Sequence, residues 1–368
     1  MSLLRSCKRI FNSFLFQISV ALLVLLVCIY FYNVGSTPNI TALLKSEITK
    51  TKVKKTSFVV SDGDGDLLSV LEKDQVNIMI TFTNAKQNGN LQNKFRTTVR
   101  SLFHFTSKPV NLFILGDEHS EAIAKDILAE VTQPGKYVLK HLEIASLVKT
   151  VHEIVSEMQK YFSYKPGAYF SDSLFFLSIV VHQVIPDLHR VIMIDCDLKF
   201  NADILELYNH FEKFDENNVM GIARDAQPVY RHNLHMYRNK FKNTRAGGPP
   251  PDGLTGFNSG VLLLDLDRMR KSRLYNSLIN AESIKNLTEK YMFKGHLGDQ
   301  DFYALISLDH EELFYVLPCT WNRQLCTWWR DHGYADVFDQ YFKCEGHINI
   351  YHGNCNTEIP KLDWERSS

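Results

Sequence analysis

The sequence predicts an α/β domain built on a mostly parallel sheet wrapped in helices. Three observations carry this. Short apolar runs of strand length, at 76–83, 110–115, 137–144, 190–194 and 219–223, alternate with stretches of helical length. The connections between most of them are short. One run, Arg190-Val191-Ile192-Met193-Ile194-Asp195-Cys196-Asp197, ends in two carboxylates, at the strand end where open α/β sheets bind ligands.

Composition sets the bounds. The chain has 368 residues, 45% hydrophobic and 22% charged, which is ordinary for a globular protein. Lys+Arg and Asp+Glu are equal at 41 each, so no net field recruits nucleic acid. Residues 14–32 are an apolar run broken only by Gln17 and Ser19, and about 19 residues of helix cross a bilayer. Arg5, Lys8 and Arg9 precede it, so the positive-inside rule puts 1–13 in the cytoplasm and the rest in a lumen. A cleaved signal peptide would need a shorter core and a small-residue cleavage site, and Gly35-Ser36 fits poorly. The expectation is a single-pass type II protein: tail 1–13, signal anchor 14–32, stem 33–74 and catalytic domain 75–368. The stem's Asp62-Gly63-Asp64-Gly65-Asp66 lacks the closing acid of a calcium loop and reads as flexible linker.

Each element then follows in order. The first strand, 76–83, runs into a polar turn, 84–90; such turns touch nucleotides, which makes Thr81, Thr83 and Asn84 candidates. Helix 94–105, strand 110–115, helix 118–131 and strand 137–144 come next. Residues 171–184 read as an apolar helix, with Ser171, Asp172 and Ser173 at an amino terminus that faces the ligand edge. Its His182 reads as a packed core residue. After strand 219–223 comes a polar insertion, 224–252, holding Tyr230, His232, His235 and Tyr237; its histidines lack metal-ligand spacing.

On a strand, Asp195 and Asp197 share a face, and two hard oxygen donors suit Mn²⁺ or Mg²⁺. Cys196, between them, faces away as a buried thiol. Residues 256–266 are a polar loop feeding a buried strand; the amide of Asn258 can read a sugar hydroxyl, and Gly256 and Gly260 permit close backbone approach. Asp299-Gln300 opens an amphipathic helix that Asp299 can cap. The segment 348–354 ends in His352, a third metal ligand, then Gly353 and Asn354, suited to a phosphate. Cys319, Cys326, Cys344 and Cys355 are an even set in an oxidising compartment, paired most simply as 319–326 and 344–355. The sequons at Asn39 and Asn286 fit the same compartment.

The order Asp-x-Asp, Asn-Ser-Gly, Asp-Gln, His-Gly resembles glycosyltransferase family 8, retaining enzymes of the Rossmann-like GT-A fold. The resemblance covers about residues 76–356 and implies that Asp195, Asp197 and His352 hold Mn²⁺ (or Mg²⁺) against the diphosphate of a UDP-sugar. Together with the positions singled out above, the expected donor pocket comprises Thr81, Thr83, Asn84, Ser173, Cys196, Asn258, Ser259, Gly353 and Asn354. Asn258, Asp299 and Gln300 would act at the sugar, Gln300 nearest the anomeric carbon. One departure stands out. The family often follows His-Gly with Lys-Pro-Trp, whereas here Cys355-Asn356-Thr357-Glu358-Ile359-Pro360-Lys361 follows, so Gly353 and Asn354 are expected to take the place of the phosphate-binding lysine through backbone and amide donors.

Within the family, 82–85, 174–178, 190–198 and 351–354 are most similar to members that transfer xylose from UDP-xylose, in α-1,3 linkage, onto xylose–glucose glycans on EGF repeats of Notch-type proteins. That likeness implies an endoplasmic-reticulum membrane location, with the Golgi as alternative, and leaves open a homodimer. Trp321, Trp328, Trp329 and Trp364, close in sequence to the late cysteines, can stack on sugars; with 224–252, the first three form the expected acceptor platform. The rival expectations are a glucosyl, galactosyl or glucuronyl donor, and an inactive lumenal module that binds glycans or EGF repeats.

Overall fold

The structure is a computed structural model that describes residues 76–163 and 173–366. The expected tail, membrane span and stem lie outside those residues, as do Ser171 and Asp172. Among the described residues no helix is long and apolar enough to cross a membrane.

The apolar runs form a seven-stranded sheet. Its strands are β1 (Val76–Thr81), β2 (Val110–Gly116), β3 (Tyr137–Glu143), β4 (Arg190–Ile194), β6 (Met220–Arg224), β7 (Phe257–Asp265) and β8 (Phe314–Leu317), in the order β3-β2-β1-β4-β7-β6-β8. All neighbours are parallel except β7, which runs antiparallel to both β4 and β6. β1, β2 and β4 are buried on both faces, as continuous Val/Ile/Leu/Met runs require. Three short strands, β5 (Leu198–Phe200), β9 (Arg323–Gln324) and β10 (Ile350–His352), form a second sheet with β10 in the middle.

The flanking helices include α1 (Gly89–Phe105), α2 (Glu118–Val131), α3 (Ile144–Phe162) and α4 (Leu177–Val184). Helix α1 starts five residues earlier than expected because the Asn88 side chain caps it, accepting from Leu91 N at 3.0 Å. Helix α3 is absent from the sequence-based assignment, although Val151, Val155, Met158 and Phe162 are buried at helical spacing. The stretch expected as one helix from 171 begins, in its described part, with a 3₁₀ turn, Ser173–Phe176, before α4. His182 is buried as expected, its Nε2 3.3 Å from Asn276 Oδ1.

The polar loop expected before β7 is part of β7 itself. The register between β6 and β7 jumps: Ile222 pairs with Leu262 but Ala223 with Asn258. Residues 259–261 therefore bulge away from β6, and such an irregularity re-aims side chains.

The disulfides correct the expected pairing. Cys319 bonds Cys344 and Cys326 bonds Cys355. β10 pairs in parallel with β9, Tyr351 beside Arg323 and His352 beside Gln324, so the chain leaving each strand brings Cys355 to Cys326. Nearness in sequence is overruled by strand pairing. Cys196 is free and buried, as expected.

Non-reducing peptide mapping is expected to recover 319–344 and 326–355 linked peptides and no 319–326 peptide. Cys326→Ser removes the bond closing a 29-residue separation; it is expected to cost about 3–4 kcal/mol in chemical denaturation.

Candidate active site

Asp195 and Asp197 occupy the turn between β4 and β5, at the carboxyl end of β4. Three backbone restraints hold that turn. Asp195 N donates to Gly260 O at 3.0 Å, Gly353 N donates to Asp197 O at 2.8 Å, and Thr98 Oγ1 of α1 donates to Cys196 O at 2.6 Å. Thr98 Oγ1 also accepts from Leu198 N at 3.1 Å. The Cys196 thiol points the other way and donates to Thr81 O at 2.9 Å, so it belongs to the core and burial pushes its pKa well up. Its assignment to the donor pocket is not supported by that orientation.

His352 reaches the turn because β10 pairs antiparallel with β5, opposite Leu198. One ligand atom each from Asp195, Asp197 and His352 lies within 4.8 Å of the others. His352 Nε2 is 3.3 Å from Asp197 Oδ1 and 3.7 Å from Asp195 Oδ2. The opposite ring nitrogen, Nδ1, is 2.9 Å from Asn322 Oδ1, while Asn322 Nδ2 donates to Asn258 Oδ1 at 2.8 Å. Since the Asn322 oxygen can only accept, Nδ1 carries a proton, and Nε2 is the nitrogen that faces the carboxylates and would coordinate a cation once deprotonated. Gly260 makes the approach possible: a Cβ there would sit 2.3 Å from His352 Cε1. Two carboxylates and an imidazole with its tautomer fixed fit a divalent metal that retains positions for substrate oxygens.

The charges agree. The cleft walls desolvate Asp195 and Asp197 repels it, so its pKa rises to about 7 even though its side chain is 54% exposed. Burial alone would raise Asp197 too, but the hydrogen bond and charge of His352 and the ammonium of Lys94 pull it below the usual carboxylate range. Burial would depress His352; its carboxylate neighbours instead raise it. Lys94, on α1, is 3.2 Å from Asp197 Oδ2, and its ammonium donates to Asn356 Oδ1 at 2.8 Å.

A chain of amides runs from the metal ligands toward the Asp-Gln pair. Gln300 Oε1 accepts from Asn258 Nδ2 at 3.1 Å and from Ser259 N at 3.3 Å, while its Nε2 donates to Asp225 Oδ2 at 3.1 Å. Both oxygen lone pairs are used, and the amide nitrogen also interacts with the buried Tyr230 hydroxyl, so Gln300 is held on every side. Asp299 accepts from Ser259 Oγ at 3.0 Å and from Ser178 Oγ, and burial raises its pKa to about 6. It is the first residue of the helix Asp299–Ile306, whose cap position is Gly298, and its carboxylate also accepts from the first-turn backbone N–H of Gln300.

Other expected site residues are placed as follows. Thr83 Oγ1 and Asn84 N both donate to Asp117, at 3.0 and 2.7 Å, which fixes the turn after β1 and leaves the Asn84 side chain exposed. Ser173 accepts from Gln159 Nε2 at 3.4 Å. Asn354 Oδ1 accepts from Leu325 N and Cys326 N at 3.0 and 2.9 Å, so that oxygen braces the disulfide region. Trp321 is only 4% exposed and packs in the core against His210, which removes it from the acceptor platform. Trp328 is 49% exposed and stacks on His332 at 3.6 Å; Trp329 packs against His232 and Tyr334. Trp364 lies apart, stacked on His104 of α1.

No local signal in the sequence marks Thr98, Lys94, Asn322 and Asp225, because each acts through a contact more than 20 residues away.

Two outcomes follow for metal binding. Asn322→Ala frees the His352 tautomer and is expected to weaken Mn²⁺ affinity by about 10–100-fold in titration calorimetry. A bound cation needs Asp195 ionised and His352 Nε2 bare, and both pKa values are raised in the metal-free cleft. Mn²⁺ affinity is therefore expected to climb as pH rises through about 7 and then level off.

A sequence model described as glycosyl transferase family 8 matches residues 86–343. The chain is 48% identical to xyloside xylosyltransferase 1 of Homo sapiens over 293 residues, 77% of this chain and 74% of that protein. It is 31% identical to xylosyl- and glucuronyltransferase LARGE1 of Gallus gallus over 245 residues, 66% of this chain but 29% of that protein. The apo crystal structure of mouse xyloside xylosyltransferase 1 matches with a TM-score of 0.75 at 48% identity, covering 78% of this chain and 100% of that one. With its GT-A-like sheet and an Asp-Asp-His cluster fit for a divalent cation, this chain belongs to glycosyltransferase family 8.

Proposed function

We propose that this protein is a Mn²⁺-dependent retaining xylosyltransferase. It moves xylose from UDP-xylose, in α-1,3 linkage, onto the xylose of a xylose–glucose glycan on EGF repeats. The observation that carries this is the 48% identity to xyloside xylosyltransferase 1 across 77% of the chain, with the Asp195, Asp197 and His352 cluster intact. The intact cluster also disfavours an inactive glycan-binding module.

Asp195, Asp197 and His352 would hold the cation, which would neutralise charge on the departing diphosphate. Lys94 supplies a second positive charge beside Asp197; it takes the place of the lysine that family members carry after His-Gly. Asn258 and Asp299 bind the donor sugar. A double displacement needs a carboxylate under the sugar. Gln300 has both oxygen lone pairs occupied, so it orients rather than attacks. The acceptor hydroxyl attacks the anomeric carbon on the face the phosphate leaves; the carbon–oxygen bond to UDP breaks, and the UDP oxygen takes the hydroxyl proton. The exposed Trp328 offers the acceptor sugar a stacking surface. A type II anchor at 14–32 would place residues 75–368 as a catalytic domain in the endoplasmic-reticulum lumen.

A donor screen tests this, using full-length protein, Mn²⁺, UDP-xylose, UDP-glucose, UDP-galactose, UDP-glucuronate and a xylose–glucose-bearing EGF repeat. Turnover of UDP-xylose that disappears in Asp197→Ala is expected; preference for another donor would sink the xylosyl assignment. Gln300→Ala and Asp225→Ala are each expected to lower kcat by about 100-fold through misplacement of the reacting groups. The double variant should be no slower than the slower single one, because Asp225 acts through Gln300.

A further inference from the structure

Beyond the metal cleft, a cavity of about 300 Å³ opens where β6 and β8 end. That is roughly ten water volumes, room for a side chain and its hydration rather than for a folded module. Arg224, Asp225, Asn322, Arg323 and Tyr341 are among its walls. Two of these reach through to the transfer site: Asp225 accepts from Gln300, and Asn322 accepts from His352. The cavity and the cleft are one side chain apart.

Its charge is unbalanced. The guanidinium of Arg224 makes no hydrogen bond or ion pair among the described residues, and burial lowers its pKa without discharging it. The acid that attracts it, Glu311, is already bonded to both terminal nitrogens of Arg245, at 2.8 and 3.4 Å. Arg323, on the same wall, lies 4.0 Å over the Phe342 ring and donates to Phe342 O, so it too keeps an uncompensated charge. Lys343 on the rim is paired with the exposed Glu345. Asp225 is the one acid in the lining, and burial raises its pKa to about 8, so at neutral pH it cancels little of the charge. A half-buried guanidinium fork without a partner is suited to a carboxylate.

We propose that this cavity is a subsite for a carboxylate side chain on the polypeptide acceptor, bound by Arg224. The inference rests on the reading that the acceptor glycan is carried by a protein. The buried side chains of Asp225 and Asn322 stand between this cavity and the metal ligands and screen it from the donor diphosphate. Arg224 lies on β6, two strands beyond β4 in the sheet order β4-β7-β6, or roughly 10 Å from the Asp-x-Asp turn. A sugar at the transfer site would instead bring its flanking peptide to this cavity.

The test compares full-length wild-type protein with Arg224→Gln and Arg224→Lys on two acceptors, each in the presence of UDP. One is the free xylose–glucose disaccharide glycoside. The other is the glycosylated EGF repeat, with versions whose Asp and Glu residues are changed singly to Asn and Gln. Dissociation constants are measured by calorimetry, independently of turnover. Arg224→Gln is expected to weaken binding of the EGF repeat about tenfold and to leave the disaccharide unchanged, with Arg224→Lys in between. Neutralising one acidic residue of the repeat should reproduce the loss with wild-type protein and add nothing with Arg224→Gln. Equal weakening of both acceptors, or of neither, overturns the subsite. Because binding is read without catalysis, failure of the xylosyl assignment shows separately, in the donor screen.

Discussion

The structure depends on holding two carboxylates and an imidazole close together at the end of one strand. Without a cation this arrangement is unfavourable, since Asp195 and Asp197 repel each other in a walled cleft and the repulsion raises Asp195. The fold sustains it by over-determining the backbone. Gly260 of β7, Gly353 after β10 and Thr98 of α1 each grip the Asp-x-Asp turn from a different element. The price is set by β7, whose antiparallel course and register jump against β6 bring Gly260 to the turn and turn Ser259 toward Asp299. A conventional parallel strand in that position would carry its polar residues at the far end of the sheet.

From that centre a continuous amide relay extends: His352 to Asn322, Asn322 to Asn258, Asn258 to Gln300, Gln300 to Asp225. Each link fixes the orientation of the next, because every amide oxygen in it is matched to a donor and every used amide nitrogen to an acceptor. His352 and Gln300 are thereby oriented by one network. Buried networks of this kind are stable only when complete, so a substitution at Asn322 or Asp225 is felt at both ends.

Lys94 brings a positive charge to the site from the first helix, where it bridges Asp197 and Asn356; in the proposed function that charge stands in for the lysine expected after His-Gly. The segment after His352 is instead fastened by Cys326–Cys355 and by Asn354 bonding the backbone at 325 and 326. Those residues stabilise the strand that carries the ligand.

The sequence alone determined the alternation of strands and helices, the Asp-x-Asp at a strand end, and the metal triad. Hydrophobic period and residue chemistry are local properties, and Asp195, Asp197, Asn258, Asp299, Gln300 and His352 lie in segments whose character is readable one at a time. It could not determine which cysteines meet, that Trp321 is core while Trp328 is open, or that Lys94, Thr98, Asn322 and Asp225 serve the site. Those depend on strand pairing between distant segments, β5 with β10 and β10 with β9, and on the register jump between β6 and β7. Contacts across a hundred residues are chosen by the packing of whole elements, and only the tertiary structure decides them.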